Sequence, residues 1–523
     1  MFTATGVHDS ELRERGRKVV RAQGKQILLI AAGEKIFAVA NRCPHEGYPL
    51  SEGTLGEGCV LTCNWHNWKF DLASGTALIG RDPVRTYAVT LRDGEVLLDL
   101  ADSPAEAQKM RALDGLDRAL ADNDLARMAR EVARLERAGF DATVALGHAL
   151  QATAAKLENG MTHAHAAAAD WLALAERAPN QDARLAATLE PLGHLAWDTQ
   201  GAGDFPYSER IERWNAGEFL AAMEAEDEAR AIALMRGAIA DGISYCALRP
   251  AIGAAALAHY ADFGHSAIYS LKAGQLIERM GDAAREPVLL ALVRQQIQAT
   301  REDRLPEFRF YGKAVAAWDG AGREPARADD FVGLTIDAAL KRTLASSGRP
   351  PRELYDALLG AAAWNLLHFD LAFDRATHNA IADNISWLDF THALTFANAA
   401  RHICEQSPQL WPRALLQMAL FVGRNRGYVD AAQDVARWSI GDRAGFISGQ
   451  MNALYDHAIV EPIIACHRLK MLFALEDELR ASPDAPWADT MGAAMNRWLH
   501  NPQKRHHGLR IATQARDFIA KEA

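Results

Sequence analysis

The sequence predicts an α+β multidomain chain, with a small all-β domain over residues 1–102 joined to a large all-α domain over residues 103–523. Three observations carry this expectation. Short runs rich in β-branched and aromatic residues, separated by Gly, Asn and Asp, fill the first hundred residues. From about Pro104 the composition turns to Ala, Leu, Glu and Arg, with apolar residues at helical spacing. Beyond that point the alternation of a half-buried strand nearly vanishes.

In the first part, Lys18–Ala22, Gln26–Ala31, Lys35–Ala40, Arg85–Leu91 and Glu95–Leu98 read as strands. The turns Ala32-Gly33-Glu34 and Arg92-Asp93-Gly94-Glu95 suit tight hairpins. Ala101–Gln108 is the best linker. After it, the stretch from Leu120 to Leu135 reads as amphipathic helix. Pro206, Pro250, Pro287, Pro306, Pro350, Pro351, Pro408, Pro412 and Pro483 are expected at helix junctions. No repeat of 20–50 residues supports a solenoid.

Composition narrows the function classes. The 523 residues are 49% hydrophobic and 24% charged, ordinary for a globular chain. Lys+Arg number 57 against 67 Asp+Glu, a net charge of -10, so neither nucleic acid nor an anionic membrane is an expected partner. The opening MFTATGVHDSELRERGRKVV lacks the apolar core of a signal peptide, and no run of 18 apolar residues suggests a membrane-spanning helix. Six cysteines are too few for a secreted disulfide framework, so a reducing cytoplasmic location is expected.

Two of those cysteines carry the strongest motif. Cys43-Pro44-His45 is followed, after 17 residues, by Cys63-Asn64-Trp65-His66. Each motif offers one thiolate and one imidazole. Together they can hold a [2Fe–2S] cluster with two Cys on one iron and two His on the other, at potentials of roughly -150 to +300 mV. A zinc site is the rival for two Cys and two His, but this spacing is unlike the usual zinc ribbons. The stretches CPHEGYPLSEG and CNWHNWKFDLASG resemble the Rieske family, with Asn67 where many members have Gly. The resemblance implies an electron-transfer domain with Cys43, His45, Cys63 and His66 as ligands. No further Cys pair accompanies the loops, which disfavours the disulfide-locked respiratory subtype.

A Rieske domain moves electrons without making bonds, so the remaining residues are a candidate acceptor. The ring-hydroxylating Rieske oxygenases carry an H-x4-H pair, and no two histidines here have that spacing. Other histidines lie at helical, apolar positions: His163 and His165, His259 and His265, His392, and His467, which shares a helix face with Lys470. Inward side chains from several helices of a bundle can build one metal site, and neutral imidazoles suit iron, zinc or copper. Glu-x-x-His does not occur twice, so the carboxylate-bridged di-iron pattern is weak.

Four segments resemble the questin oxidase-like family, in order: MTHAHAAAADWLALAERAPNQDARL, GHSAIYSLKAGQLI, DFTHALTFANAARHICEQSPQLW and CHRLKMLFALEDELRASPDAPW. The likeness is patchy and spans about Leu150 to Trp498. It implies a mononuclear non-haem iron held by His163, His265, His392, His467 and a carboxylated Lys470. It further implies an anthraquinone-type aromatic polyketide as substrate. His165 competes with His163, and His259 with His265. Carboxylation has a physical rationale: a lysine ammonium repels a cation and accepts nothing, whereas its carbamate offers anionic oxygen, and burial favours the neutral amine this requires.

The other candidates read more blandly. His194 and Asp198, at i,i+4, could ligate a metal but read first as a helix-surface pair. His402, Asp389 and Asp383 could support His392. His148, His368, His378 and His457 read as core or cap residues, and His500, His506 and His507 as solvated. Trp171, Trp197, Trp364 and Trp387 read as packing.

The function expected is an oxygenase. It takes electrons from a reductase or ferredoxin through the cluster and acts with O2 on an aromatic or quinone-like substrate; a homo-oligomer is compatible. The alternative is a non-catalytic electron carrier with a helical docking domain. A zinc hydrolase would leave the cluster without a role.

Overall fold

The computed structural model describes residues 2–376, 378–381, 384–501 and 508–522. Asp383, His506 and His507 lie outside the described residues. The chain divides into two compact units, Met1–Arg111 and Ala112–Ala523, and the helix Ala105–Ala121 runs across the division.

The first unit holds ten strands: β1 (Phe2–His8), β2 (Arg17–Ala22), β3 (Lys25–Ala32), β4 (Lys35–Ala40), β5 (Thr54–Leu55), β6 (Val60–Thr62), β7 (Lys69–Asp71), β8 (Ala77–Ile79), β9 (Val89–Arg92) and β10 (Glu95–Asp99). They form three antiparallel sheets, ordered β1-β10-β9, β2-β3-β4 and β5-β6-β7-β8. Both expected hairpins form: Ala32 pairs with Lys35, and Glu95 with Arg92 across Asp93 and Gly94, both at positive φ as a tight right-twisted turn requires.

The expected strand Arg85–Leu91 is shorter. Residues 85–87 bond across to β4 (Ala40 N–H to Arg85 C=O, Tyr87 N–H to Ala38 C=O), and from Ala88, whose C=O accepts the Asp99 N–H, the chain joins β10. It thus stitches two sheets. The strand β1, with a register shift between Ala4 and His8, escaped the sequence reading because neither of its faces, Phe2/Ala4/Gly6/His8 or Thr3/Thr5/Val7, is consistently apolar. Two apolar clusters fill the unit. One joins Val7, Leu12, Ile27, Leu29, Val96 and Leu98. The other joins the opposite face of β3 (Leu28 and Ile30) to Phe70, Leu72, Cys43 and Cys63.

The second unit is helical around one continuous apolar core. The expected helix from Leu120 to Leu135 is interrupted. One helix ends at Ala121, Asn123 turns left-handed (φ +51°), and Asp124 caps Leu125–Arg137 by accepting the Arg127 N–H. Pro250 and Pro287 lie inside the helices Tyr245–Ala256 and Asp282–Gln298, not at junctions. Each removes one amide donor, and the buried apolar faces around them hold the helix regardless.

Four helices position the site. His163–Glu176 packs on His265–Met280, that on Trp387–Gln406, that on Pro462–Ala481, and the last packs back on the first. The ring is closed. Each start is explicit in the sequence. Thr162 caps the first, Gly264 in the left-handed region precedes the second, Ser386 and Asp389 form a capping box on the third, and Pro462 opens the fourth.

Candidate functional site

In the β unit two loops repeat one backbone design. Cys43 N–H donates to Tyr48 C=O and Gly47 N–H to Cys43 C=O; Cys63 N–H donates to Trp68 C=O and Asn67 N–H to Cys63 C=O. Gly47 (φ +76°) and Asn67 (φ +61°) hold equivalent left-handed positions. Asn at the place where many family members have Gly is therefore a conservative change, since Asn tolerates this region better than most side chains.

The design turns two thiols inward and two imidazoles outward. Cys43 and Cys63 are buried and face each other, while the Nδ1 atoms of His45 and His66 lie 3.1 Å apart on the rim. Burial pushes the Cys43 thiol up to about 11; the amides of His45 and Glu46 pull the other way, as a thiolate ligand would need. His45 stacks on Trp68, with ring centroids 4.6 Å apart. The donor set of two paired sulfurs and two paired imidazoles fits a [2Fe–2S] cluster.

In the helical unit the rings of His163, His265, His392 and His467 converge. His265 Nε2 lies 3.1 Å from His163 Nε2, and His467 Nε2 lies 3.4 Å from His392 Nε2. The His163 and His467 ring centroids are 4.8 Å apart, those of His265 and His392 4.5 Å. The other ring nitrogens are all engaged. His392 Nδ1 donates to Leu388 C=O at 2.6 Å, His467 Nδ1 to Ile463 C=O at 2.6 Å, and His265 Nδ1 to Asp262 C=O. His163 Nδ1 meets the Tyr269 hydroxyl at 3.2 Å.

A carbonyl only accepts, so three of the four rings carry their proton on Nδ1 and present a lone pair at Nε2. Burial holds His163, His392 and His467 far below the ordinary histidine range, and the neighbouring Lys470 and histidines lower them further. Lone pair therefore faces lone pair between His392 and His467. That arrangement favours a Lewis acid between the rings, and the outer hydrogen bonds have the form that orients metal-binding histidines.

Lys470 lies one turn after His467 and is 2% exposed; its Nζ has no hydrogen-bond partner. Burial lowers its pKa, Cys466 and Asp170 pull it back up, and Lys272 pushes it down. A buried amine without a partner costs free energy, and it fits a lysine that carries a further group. Beside it lies an ion pair that sequence reading missed. Asp170 and Lys272, on the His163 and His265 helices, meet at 2.6 Å with both side chains buried. Charged residues on Ala-rich helices look solvated in a linear sequence.

The turn before His265 is strained. Asp262, Phe263 and Gly264 all have positive φ (+49°, +54°, +81°). Both carboxylate oxygens of buried Glu302 accept the Phe263 N–H at 2.9 Å, and Gln295 donates to Asp262. Burial pushes the Glu302 carboxyl up to about 7.

The competing histidines fall outside the group. His165 is buried with Nδ1 turned to Thr162, and His259 pairs with Glu224 (2.7 Å), Asp303 (3.1 Å) and Arg301. His402 does not support His392, because it bonds Asp477 at 2.6 Å, about three turns further along the same pair of helices. Asp389 caps its own helix and pairs with Arg424. His148 pairs with Asp117 and His457 with Glu190, and His368 stacks on Trp364. His378 is exposed and so is not a core residue.

A cavity of about 1000 Å³ reaches His163. Trp197, Trp387, Val460 and Ile463 line it, together with His194 and Asp198. Those last two are not a helix-surface pair. His194 is buried, its Nε2 stands 3.7 Å from Asp198, and Trp197, expected in packing, is half exposed at the cavity. Burial drops the His194 pKa to about 3 and raises that of Asp198 to about 6, the latter opposed by Thr162 and Ala164.

A small antiparallel β unit offering two inward thiols and two outward imidazoles on paired loops is an iron–sulfur electron-transfer module. Residues 5–88 match the Rieske [2Fe-2S] domain, and through this unit the chain belongs to that family. The chain is 40% identical over 103 residues to a 4beta-methylsterol monooxygenase of Methylococcus capsulatus, covering 17% of this chain and 27% of that one. It is 33% identical over 94 residues to the 3-phenylpropionate/cinnamic acid dioxygenase ferredoxin subunit of Photorhabdus laumondii, covering 18% of this chain and 89% of the subunit. Thus the chain spans about a quarter of the first relative and most of the second. Among solved structures, the ferredoxin of carbazole 1,9a-dioxygenase from Nocardioides aromaticivorans is 25% identical, covering 19% of this chain and 96% of that one, with a TM-score of 0.18. These relatives belong to oxygenase systems. No helix among the described residues is long and apolar enough to cross a membrane.

Proposed function

We propose that the chain is a Rieske-fused non-haem iron oxygenase acting on an aromatic or quinone-like substrate. The boundary between its electron-transfer and catalytic parts falls near residue 102. Cys43, His45, Cys63 and His66 hold the cluster, which a reductase or ferredoxin reduces. His163, His265, His392 and His467, with Lys470 as a carbamate, hold one iron in the helical unit. One observation carries this reading: four imidazoles from four helices, two buried and two half-buried, their outer nitrogens occupied, converge near a buried amine without a partner.

Bound there, iron supplies the redox chemistry of dioxygen activation. The chain supplies the rest. Leu388, Ile463 and Asp262 carbonyls fix the imidazole tautomers, so Nε2 is available without prior proton loss. Carboxylation of Lys470 adds a negative charge that four neutral imidazoles lack. Trp197, Trp387 and Ile463 give the substrate an apolar wall beside His163 and displace water from it.

Iron analysis tests the reading. The purified chain is expected to hold about three irons, two of them in the cluster. About two irons, with no signal besides that of the cluster, would mean an electron carrier with a docking domain.

A further inference from the structure

The cavity beside His163 has one polar end, built by the two residues whose sequence spacing suggested a solvated pair. His194 is 4% exposed, and its Nδ1 has no hydrogen-bond partner. Asp198 Oδ2 is likewise buried and without a partner. Both residues line the same cavity as Trp197 and Trp387. A buried acceptor and a buried ring nitrogen left open cost free energy unless a guest or water engages them.

We propose that His194 and Asp198 form the recognition site for a hydroxyl group carried on a flat aromatic ligand, whose ring system lies against Trp197 and Trp387. An aromatic hydroxyl supplies what each open atom lacks: a hydrogen for the Asp198 carboxylate, and an oxygen that accepts from the neutral His194 ring when its proton sits on Nδ1. The wall mixes charges, with Asp198 and Glu461 set against a buried Arg510, which suits a neutral polar ligand better than an ion of either sign. A bare hydrocarbon would leave both open atoms unpaired, which is how buried polar groups discriminate against analogues that lack a partner. The pair therefore determines specificity. It rests on the oxygenase reading for the assignment of the cavity as the place of reaction, while the binding itself does not need the iron.

The test uses the full chain and three probes of one shape: 2-naphthol, 2-methoxynaphthalene and naphthalene, titrated by calorimetry. The wild-type protein is expected to bind 2-naphthol at least tenfold more tightly than the other two, because only it offers both a donor and an acceptor. In Asp198→Asn and His194→Leu that preference is expected to fall below threefold, with naphthalene affinity kept. Equal affinity of the wild type for all three probes overturns the inference, as does binding of none of them. A preference that survives both substitutions also overturns it. The wild-type comparison stands even if a variant fails to fold. The outcomes separate the two readings: a naphthol preference in a chain with only the cluster irons keeps this site and sinks the oxygenase, and three irons without the preference does the reverse.

Discussion

The β unit and the helical unit both gather imidazoles, by opposite means. In the first, Cys43, His45, Cys63 and His66 come from two loops within one stretch of 24 residues, and backbone hydrogen bonds within each loop set the geometry. The imidazoles stay on the rim, where a partner can approach. In the second, the four rings are contributed by helices that begin at His163, His265, Trp387 and Pro462, and closure of the helix ring alone brings them together. Of those imidazoles His392 and His467 are buried, and their orientation depends on carbonyls one turn away. A site made by loops is a local property of sequence. One made by packing exists only once the whole unit is folded.

The sharpest way to break that contrast is to delete one site and read the other. Cys63→Ser is expected to remove the cluster and its visible absorption while leaving about one iron in the helical unit. His467→Ala is expected to lose that iron and keep the cluster spectrum. Metal analysis with optical and paramagnetic spectra checks both, and loss of both centres in either variant would deny that the units act separately.

A second effect belongs to the helical unit alone. Burial raises the Glu302 carboxyl from 4.5 to about 7. The folded state thus binds a proton that the unfolded state has released between those values, so this group costs stability as pH rises from 4.5 to about 7. Glu302→Gln is expected to stabilise the protein above pH 7 by up to about 3 kcal/mol. The advantage should vanish near pH 4.5, as read by urea unfolding at both ends. A gain independent of pH would remove the electrostatic explanation.

Next, Lys470→Met replaces a buried amine that has no partner by an apolar chain of similar length. In metal-free protein the change is expected to stabilise by roughly 1–3 kcal/mol. In iron-supplemented protein it is expected to abolish uptake of the additional iron. Thermal unfolding with and without iron separates these opposite signs. The smallest effect is in the loops. Asn67→Gly, at φ +61°, is expected to change stability by under about 1 kcal/mol and to leave the cluster spectrum intact. Asn67→Val, which the left-handed region excludes, should lose cluster on overnight dialysis.

The same contrast explains how far the sequence could be read. The β unit, its hairpins and its four ligands follow from turn chemistry and a motif contained in one short stretch. Among the helices, periodicity located the elements, but Asp124 ended one of them mid-pattern and Pro250 and Pro287 were absorbed inside others. The choice between His163 and His165 turns on which side of a helix start faces the ring, and local sequence does not encode that. His265 was separable from His259 only after Glu224 and Asp303 were seen to claim the latter. Asp198 and His194 were misread because i,i+4 spacing says they share a face without saying whether that face meets solvent.

Two of the four helices start on a histidine of the group, His163 and His265. The first-turn amides of a helix carry partial positive charge, which draws in negative guests and resists cations. A divalent ion on its own is therefore expected to enter slowly. A carbamate on Lys470, formed from dissolved CO2 with loss of a proton, would offset that positive end, so iron is expected to load more fully when bicarbonate is supplied as the source of CO2.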